Sequence, residues 1–151
     1  MSYFAFLEEH GVTLLLGSVT TIKVLICSII LYVIISMIFG LMRISKNKVI
    51  QGIATGYIEF FRGTSLLVQL FWFYYVLPFF GLSLEAFWAG VISLGMNFGA
   101  YGAEIVRGGI LAVPKGQWEA AHALNFSPAK RIKNIIIPQI FPIILPPAAN
   151  L

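Results

Sequence analysis

Residues 24–42 read VLICSIILYVIISMIFGLM, and from Val24 to Met42 no side chain carries a charge. The hydrocarbon core of a bilayer is crossed by roughly 20 apolar residues in helical form, so this stretch alone sets the solvent of the fold. Working outward, the span is expected from about Thr13 to Met42, with Lys23 near enough to an end for its stem to carry the ammonium to the interface. The run is longer than the apolar core of a signal peptide, and Arg43, Lys46 and Lys48 follow it in place of a small-residue cleavage site. It is expected to remain as an anchor.

The whole chain agrees with that reading. Its residues are 59% hydrophobic and 11% charged, and its mean hydropathy is +0.90, whereas a soluble domain carries about 25% charged residues. The net charge of +4 does not point to nucleic acid, because the basic residues are separated by apolar spans and no stacking platform is interleaved with them. Cys27 is the single cysteine, which excludes an internal disulfide, and His10 and His122 lack the spacing of a metal site. No G-x-x-x-x-G-K-[ST] sequence is present, so the chain is expected to bind neither ATP nor Mg itself.

Three further apolar segments follow. The second runs from about Ile53 to Phe80, ending at Pro78 and Gly81; the third, from about Leu84 to Ile110, is rich in small residues and places Gly95 and Gly99 in a GxxxG step that admits a neighbouring helix closely. Residues 111–134 are polar and turn-rich. The fourth segment starts at Ile135 and contains Pro138, Pro142, Pro146 and Pro147, so it is expected to be kinked or broken. The fold expected is an all-α, polytopic transmembrane bundle of about four spans, one domain over residues 1–151. Seven of the ten lysines and arginines (Arg43, Lys46, Lys48, Lys115, Lys130, Arg131, Lys133) lie in the loops after the first and third segments. The positive-inside rule puts both loops in the cytoplasm and the N-terminus outside.

The loop 111–134 contains Glu119-Ala120-Ala121, then Asn125 after three residues, then Ile135-Ile136-Ile137-Pro138 after nine more. This resembles the EAA loop of bacterial ABC-importer permeases, with Asn125 in place of the usual glycine and Ile137 in place of leucine. Asn is the next best residue for the left-handed conformation that ends a helix, and Ser127-Pro128 reads as an N-cap followed by a first helical proline. Further markers, Phe61 to Gln69, Gly99 to Gly109 and Pro114 to Gln117, resemble the permeases of the polar amino-acid (histidine/glutamine/arginine-type) family. Ser65 and Pro142 depart from the pattern, which usually has a proline and a basic residue there.

The resemblance implies a type I ABC importer permease of the bacterial inner membrane with five spans expected, so that the present chain is C-terminally incomplete. It implies coupling to a cytoplasmic ABC ATPase dimer through Gln117, Glu119, Ala120, Ala121, Leu124 and Asn125, with ATP and Mg held by that partner. It also implies a second permease subunit, an external solute-binding protein and an amino-acid substrate. The paired alanines are expected to offer a smooth face to a groove of the ATPase. A secondary transporter, a channel or a non-transport scaffold is the alternative class, and it leaves the Glu119 loop without a role.

For the substrate path, Asn97, Tyr101 and Glu104 fall at steps of four and three on one helix face, and Gln69, a polar break in the second segment, is grouped with them. A carboxylate inside a span costs about 2.5 to 3.5 kcal/mol. Glu104 therefore either meets the ammonium of a zwitterionic substrate or pairs with Arg107. Glu59 and Arg62 repeat that spacing and are expected to form a structural ion pair.

Overall fold

The computed structural model describes residues 3–151; the side chains of residues 3–9, of His122 and of residues 128–129 lie outside the description, so the readings placed on His122 and Pro128 are not addressed. All regular structure among the described residues is helical. Helix α1 covers Tyr3–Arg43, α2 Lys48–Gly63, and α3 Leu66–Phe71, which continues through a π turn (Trp72–Val76) and a 3-10 turn (Leu77–Phe80). Helix α4 spans Ala86–Ala112, α5 Lys115–Ala123 and α6 Pro128–Arg131; a π turn over Ile132–Ile136 joins α6 to α7, Ile137–Ala148.

The seam between α1 and α4 organises the rest. Glycines along α4 meet side chains of α1 in order: Leu31 at Gly95, Ile35 at Gly99, Tyr32 and Ser36 at Gly102. Val106 of α4 in turn lies against Gly40 of α1. Numbers rise together on both helices, so α1 and α4 run parallel. The approach depends on missing side chains: a Cβ at Gly95 or Gly99 would stand 2.5 Å from Leu31 Cδ2 or Ile35 Cγ2. The Ser36 hydroxyl closes the seam by donating to the Gly99 carbonyl at 3.3 Å.

Parallel helices require the intervening chain to travel back, and residues 48–80 do so with a sharp elbow. The expectation of a continuous second span is corrected here: the parts Lys48–Gly63 and Leu66–Phe80 meet at 101°. Thr64 and Ser65 are both extended, with ψ of 147 and 137, and Gly63 ahead of them weakens the last turn of α2. Helix α7 then runs antiparallel to α4, since Ile140 and Ile144 pack at Gly109 while Ala148 and Leu151 share a cavity with Leu94 and Phe98.

Both π turns sit just ahead of a proline, Pro78 and Pro138. A proline ring collides with the carbonyl four residues earlier, and the wider turn moves that carbonyl aside. In α7, Pro138, Pro142 and Pro146 recur every four residues on the exposed face, and Ile136, Ile140 and Ile144 recur likewise on the packed face. Among the described residues, His10–Arg43 is by length and hydropathy the helix able to cross a bilayer alone, and the bent pair adds one broken span. The expected four spans thus appear as four helical legs, of which the first meets that criterion unaided.

Leucine at Gly99 should lower the midpoint of thermal unfolding in detergent, in line with the roughly 1–3 kcal/mol cost of overpacking a close seam. Leucine at Gly56, where a Cβ meets nothing within 4 Å, should leave the midpoint unchanged. Equal behaviour of the two variants would contradict the seam.

Candidate functional site

Two groups of residues sit on this frame, a surface knob between α4 and α7 and a polar stripe along α4. The knob begins where Val113, extended before Pro114, ends α4. Helix α5 closes at Asn125, whose φ of 52 is the left-handed conformation expected of it. Phe126 N–H donates to the Ala121 carbonyl at 3.3 Å and Leu124 N–H to the Ala120 carbonyl at 3.1 Å, which satisfies carbonyls that a helix end leaves free. Ser127 Oγ accepts from the Lys130 N–H at 3.4 Å, the N-cap role expected for it.

The knob has two faces. Glu119, Ala120 and Leu124 point outward, Leu124 with 66% of its surface exposed. Ala121 is 1% exposed, and Trp118 packs on a core of Val106, Ile110, Val113, Ile136 and Ile140. This corrects the expectation of a paired-alanine face: adjacent positions on a helix lie about 100° apart, so Ala120 faces out while Ala121 is consumed by the chain's own core. Gln117 is tied inward as well, its Oε1 accepting from Gln139 Nε2 of α7 at 3.2 Å.

Along α4 the expected stripe divides into three separate contacts. Asn97 and Gln69, both 5% exposed, serve the elbow. Asn97 Nδ2 donates to the Phe61 carbonyl at 3.0 Å and to Gln69 Oε1 at 3.2 Å. Gln69 Nε2 donates to the same carbonyl at 3.0 Å and to Thr64 Oγ1 at 2.6 Å. The two amides therefore cover backbone acceptors freed at the end of α2, as a broken helix inside a membrane requires. Gln69 also borders a cavity of about 210 Å³ with Phe60, Phe61, Trp72 and Phe73.

Tyr101 receives the Arg62 guanidinium 5.1 Å above its ring. The expected ion pair between Glu59 and Arg62 is absent: the ion pairs among the described residues both involve Glu104. Arg62 turns toward α4, where the π face of Tyr101 attracts it, and Glu59 stays on the exposed side of α2. Glu104 Oε2 accepts from Arg107 Nε at 2.8 Å and Oε1 from Arg43 Nε at 3.4 Å. The expected pairing of Glu104 with Arg107 is formed, and Arg43 joins it. The pairing of Arg43 with Glu104 escaped the sequence reading, although the charge rule had already put the ends of the first and third segments on one side.

A helical bundle with a polar clasp at a broken leg and a knob between its last two legs is built like a membrane permease subunit. The chain belongs to the family described as binding-protein-dependent transport system inner membrane component, which matches residues 32–151. It is 45% identical over 141 residues to the probable amino-acid ABC transporter permease protein y4tF of Sinorhizobium fredii, covering 89% of this chain and 59% of that protein. It is 40% identical over 134 residues to the L-cystine transport system permease protein TcyB of Bacillus subtilis, covering 89% and 57%. The putative glutamine transport system permease protein GlnP of Rickettsia prowazekii is 40% identical over 135 residues, with 89% and 62% covered. The chain thus spans 57–62% of the length of these relatives. A solved structure described as the crystal structure of an amino acid ABC transporter with histidines superposes with a TM-score of 0.81 at 39% identity, over 99% of this chain and 70% of that one.

Glu104→Gln should weaken the α1–α4 seam, because an amide facing two guanidinium groups loses charge-assisted bonds worth about 1.5–3 kcal/mol each at most. Combined with Arg43→Gln in a double-mutant cycle of unfolding free energies, it should show a coupling of about 0.5–3 kcal/mol. Strict additivity would mean that the bond to Arg43 contributes nothing.

Proposed function

We propose that this chain is the membrane-spanning part of a binding-protein-dependent ABC importer for polar amino acids or related small solutes, driven through its 115–131 knob by a separate ATPase. The observation that carries the reading is the division of the knob, with Glu119, Ala120 and Leu124 free on the outside and Trp118 and Ala121 anchored within. An exposed carboxylate beside a flat alanine suits docking against a basic groove of a partner. The likeness to permeases named for amino acids, glutamine and L-cystine supports the substrate class.

On this reading ATP and Mg are held by a cytoplasmic ATPase dimer and the chain is not itself an enzyme. A second permease subunit, identical or similar, completes the path, and an external solute-binding protein delivers the amino acid. The subunit resides in the bacterial inner membrane with its N-terminus outside and the knob in the cytoplasm. The basic residues Arg43, Lys46, Lys48, Lys115, Lys130, Arg131 and Lys133 at the α1–α2 turn and around the knob support that orientation. ATP binding drives transport only if the closed ATPase dimer binds one conformation of the permease more tightly than the other. The knob is the place where that preference is exerted.

Glu119→Arg in the full permease should reduce ATP-dependent uptake of radiolabelled L-glutamine, L-cystine or L-arginine by about tenfold or more while the permease still reaches the membrane in normal amount. Unchanged uptake of a solute that the unaltered system imports would overturn the docking role.

A further inference from the structure

The importer reading names the knob as the place where an ATPase docks and leaves open how a push there reaches the membrane legs. We infer that Trp118 is the positioning residue that carries knob movement into the bundle. The inference rests on the proposed importer function and goes beyond it in assigning the link to one side chain.

Helix α5, the part of the knob that carries Glu119, is joined to the rest of the chain by irregular segments: Val113 and Pro114 lead to it from α4, and residues 124–127 lead from it to α6, which itself runs on through the π turn into α7. The covalent connections of α5 are therefore bends. Trp118 makes a different kind of attachment. It packs on a cluster drawn from α4 (Val106, Ile110), from Val113 just after it and from the far leg (Ile136, Ile140). It also borders, with Met37, Leu41 and Ile44 from α1 and the turn after it, a cavity of only about 40 Å³.

One indole therefore packs on the core shared by α4 and the far leg and borders, across a small cavity, the end of α1. Close-packed interiors pass displacement on rather than absorbing it. The other inward contacts of α5 among the described residues are slighter. Ala121 presents a single methyl group, and the Gln117–Gln139 bond at 3.2 Å lies in an exposed setting, where water competes for both amides. Trp118 is also turned about 100° away from Glu119 and about 160° away from Ala120 around α5, so a change there leaves the exposed carboxylate and alanine in place. The indole and the docking face are thus separable by mutation.

The test uses the full permease reconstituted in proteoliposomes with its ATPase and binding protein, measuring uptake of L-glutamine, L-cystine and L-arginine per ATP hydrolysed. Trp118→Ala should retain the ATPase and its hydrolysis while uptake per ATP falls by about tenfold or more. Trp118→Phe, which restores an aromatic ring to the core, should recover uptake to within about threefold of the unaltered protein. A wild-type coupling ratio in Trp118→Ala, or no recovery in Trp118→Phe, would overturn the inference. If Trp118→Ala does not yield a monodisperse assembly, the unaltered permease labelled with 5-fluorotryptophan supplies the measurement. The Trp118 resonance, assigned by its loss in Trp118→Phe, should shift when ATP binds a hydrolysis-deficient ATPase; a resonance that stays put would overturn the inference. Failure of the unaltered permease to bind the ATPase, or to import any of the three solutes, would instead strike the importer reading itself.

Discussion

The close parallel contact of α1 with α4 is the constraint from which the other features follow. In a bilayer the lipid tails are as apolar as leucine, so helices are held by tight packing and hydrogen bonds rather than by exclusion of water. Gly40, Gly95, Gly99 and Gly102 supply the packing, and Ser36 supplies a hydrogen bond across the seam. Because the two helices run in one direction, their C-terminal ends lie together. This is why Arg43 can share Glu104 with Arg107 across 61 residues of sequence.

The same constraint explains the broken leg. The chain between two parallel helices must return, and here it does so with a 101° elbow. An elbow exposes carbonyls that water cannot reach in lipid, and Gln69 and Asn97 meet that need from α3 and α4. Two residues read from their polarity as part of a substrate path thereby also serve the backbone of the elbow. The knob depends on the seam in its turn, since Trp118 rests on a core to which α4 contributes Val106 and Ile110.

Much of this was legible before the structure. The apolar length of Val24–Met42, the glycine step at Gly95 and Gly99 and the left-handed turn at Asn125 each follow from local chemistry, and each is present in the fold. Other features were hidden for physical reasons. The elbow falls in the polar opening of the second segment, where Gly63-Thr64-Ser65 marks a weak point without fixing an angle. Ala120 and Ala121 are identical in sequence, and only the rotation of α5 separates them. Arg62 could be matched to Glu59 by spacing, but the ring of Tyr101 that draws it away is brought by tertiary packing. Arg43 found its carboxylate only once the register of α1 against α4 was set.

The parallel arrangement is tested most directly by the sidedness of two positions. Single cysteines replacing Lys46, in the α1–α2 turn, and Leu124, on the knob, would be introduced in a Cys27→Ser background of the full permease. Each would be labelled with a membrane-impermeant maleimide in intact cells and in inside-out vesicles. The account expects both cysteines to react in the vesicles and neither in intact cells. Labelling of the two from opposite sides of the membrane would contradict the parallel seam, and the contacts built on it would have to be reassigned.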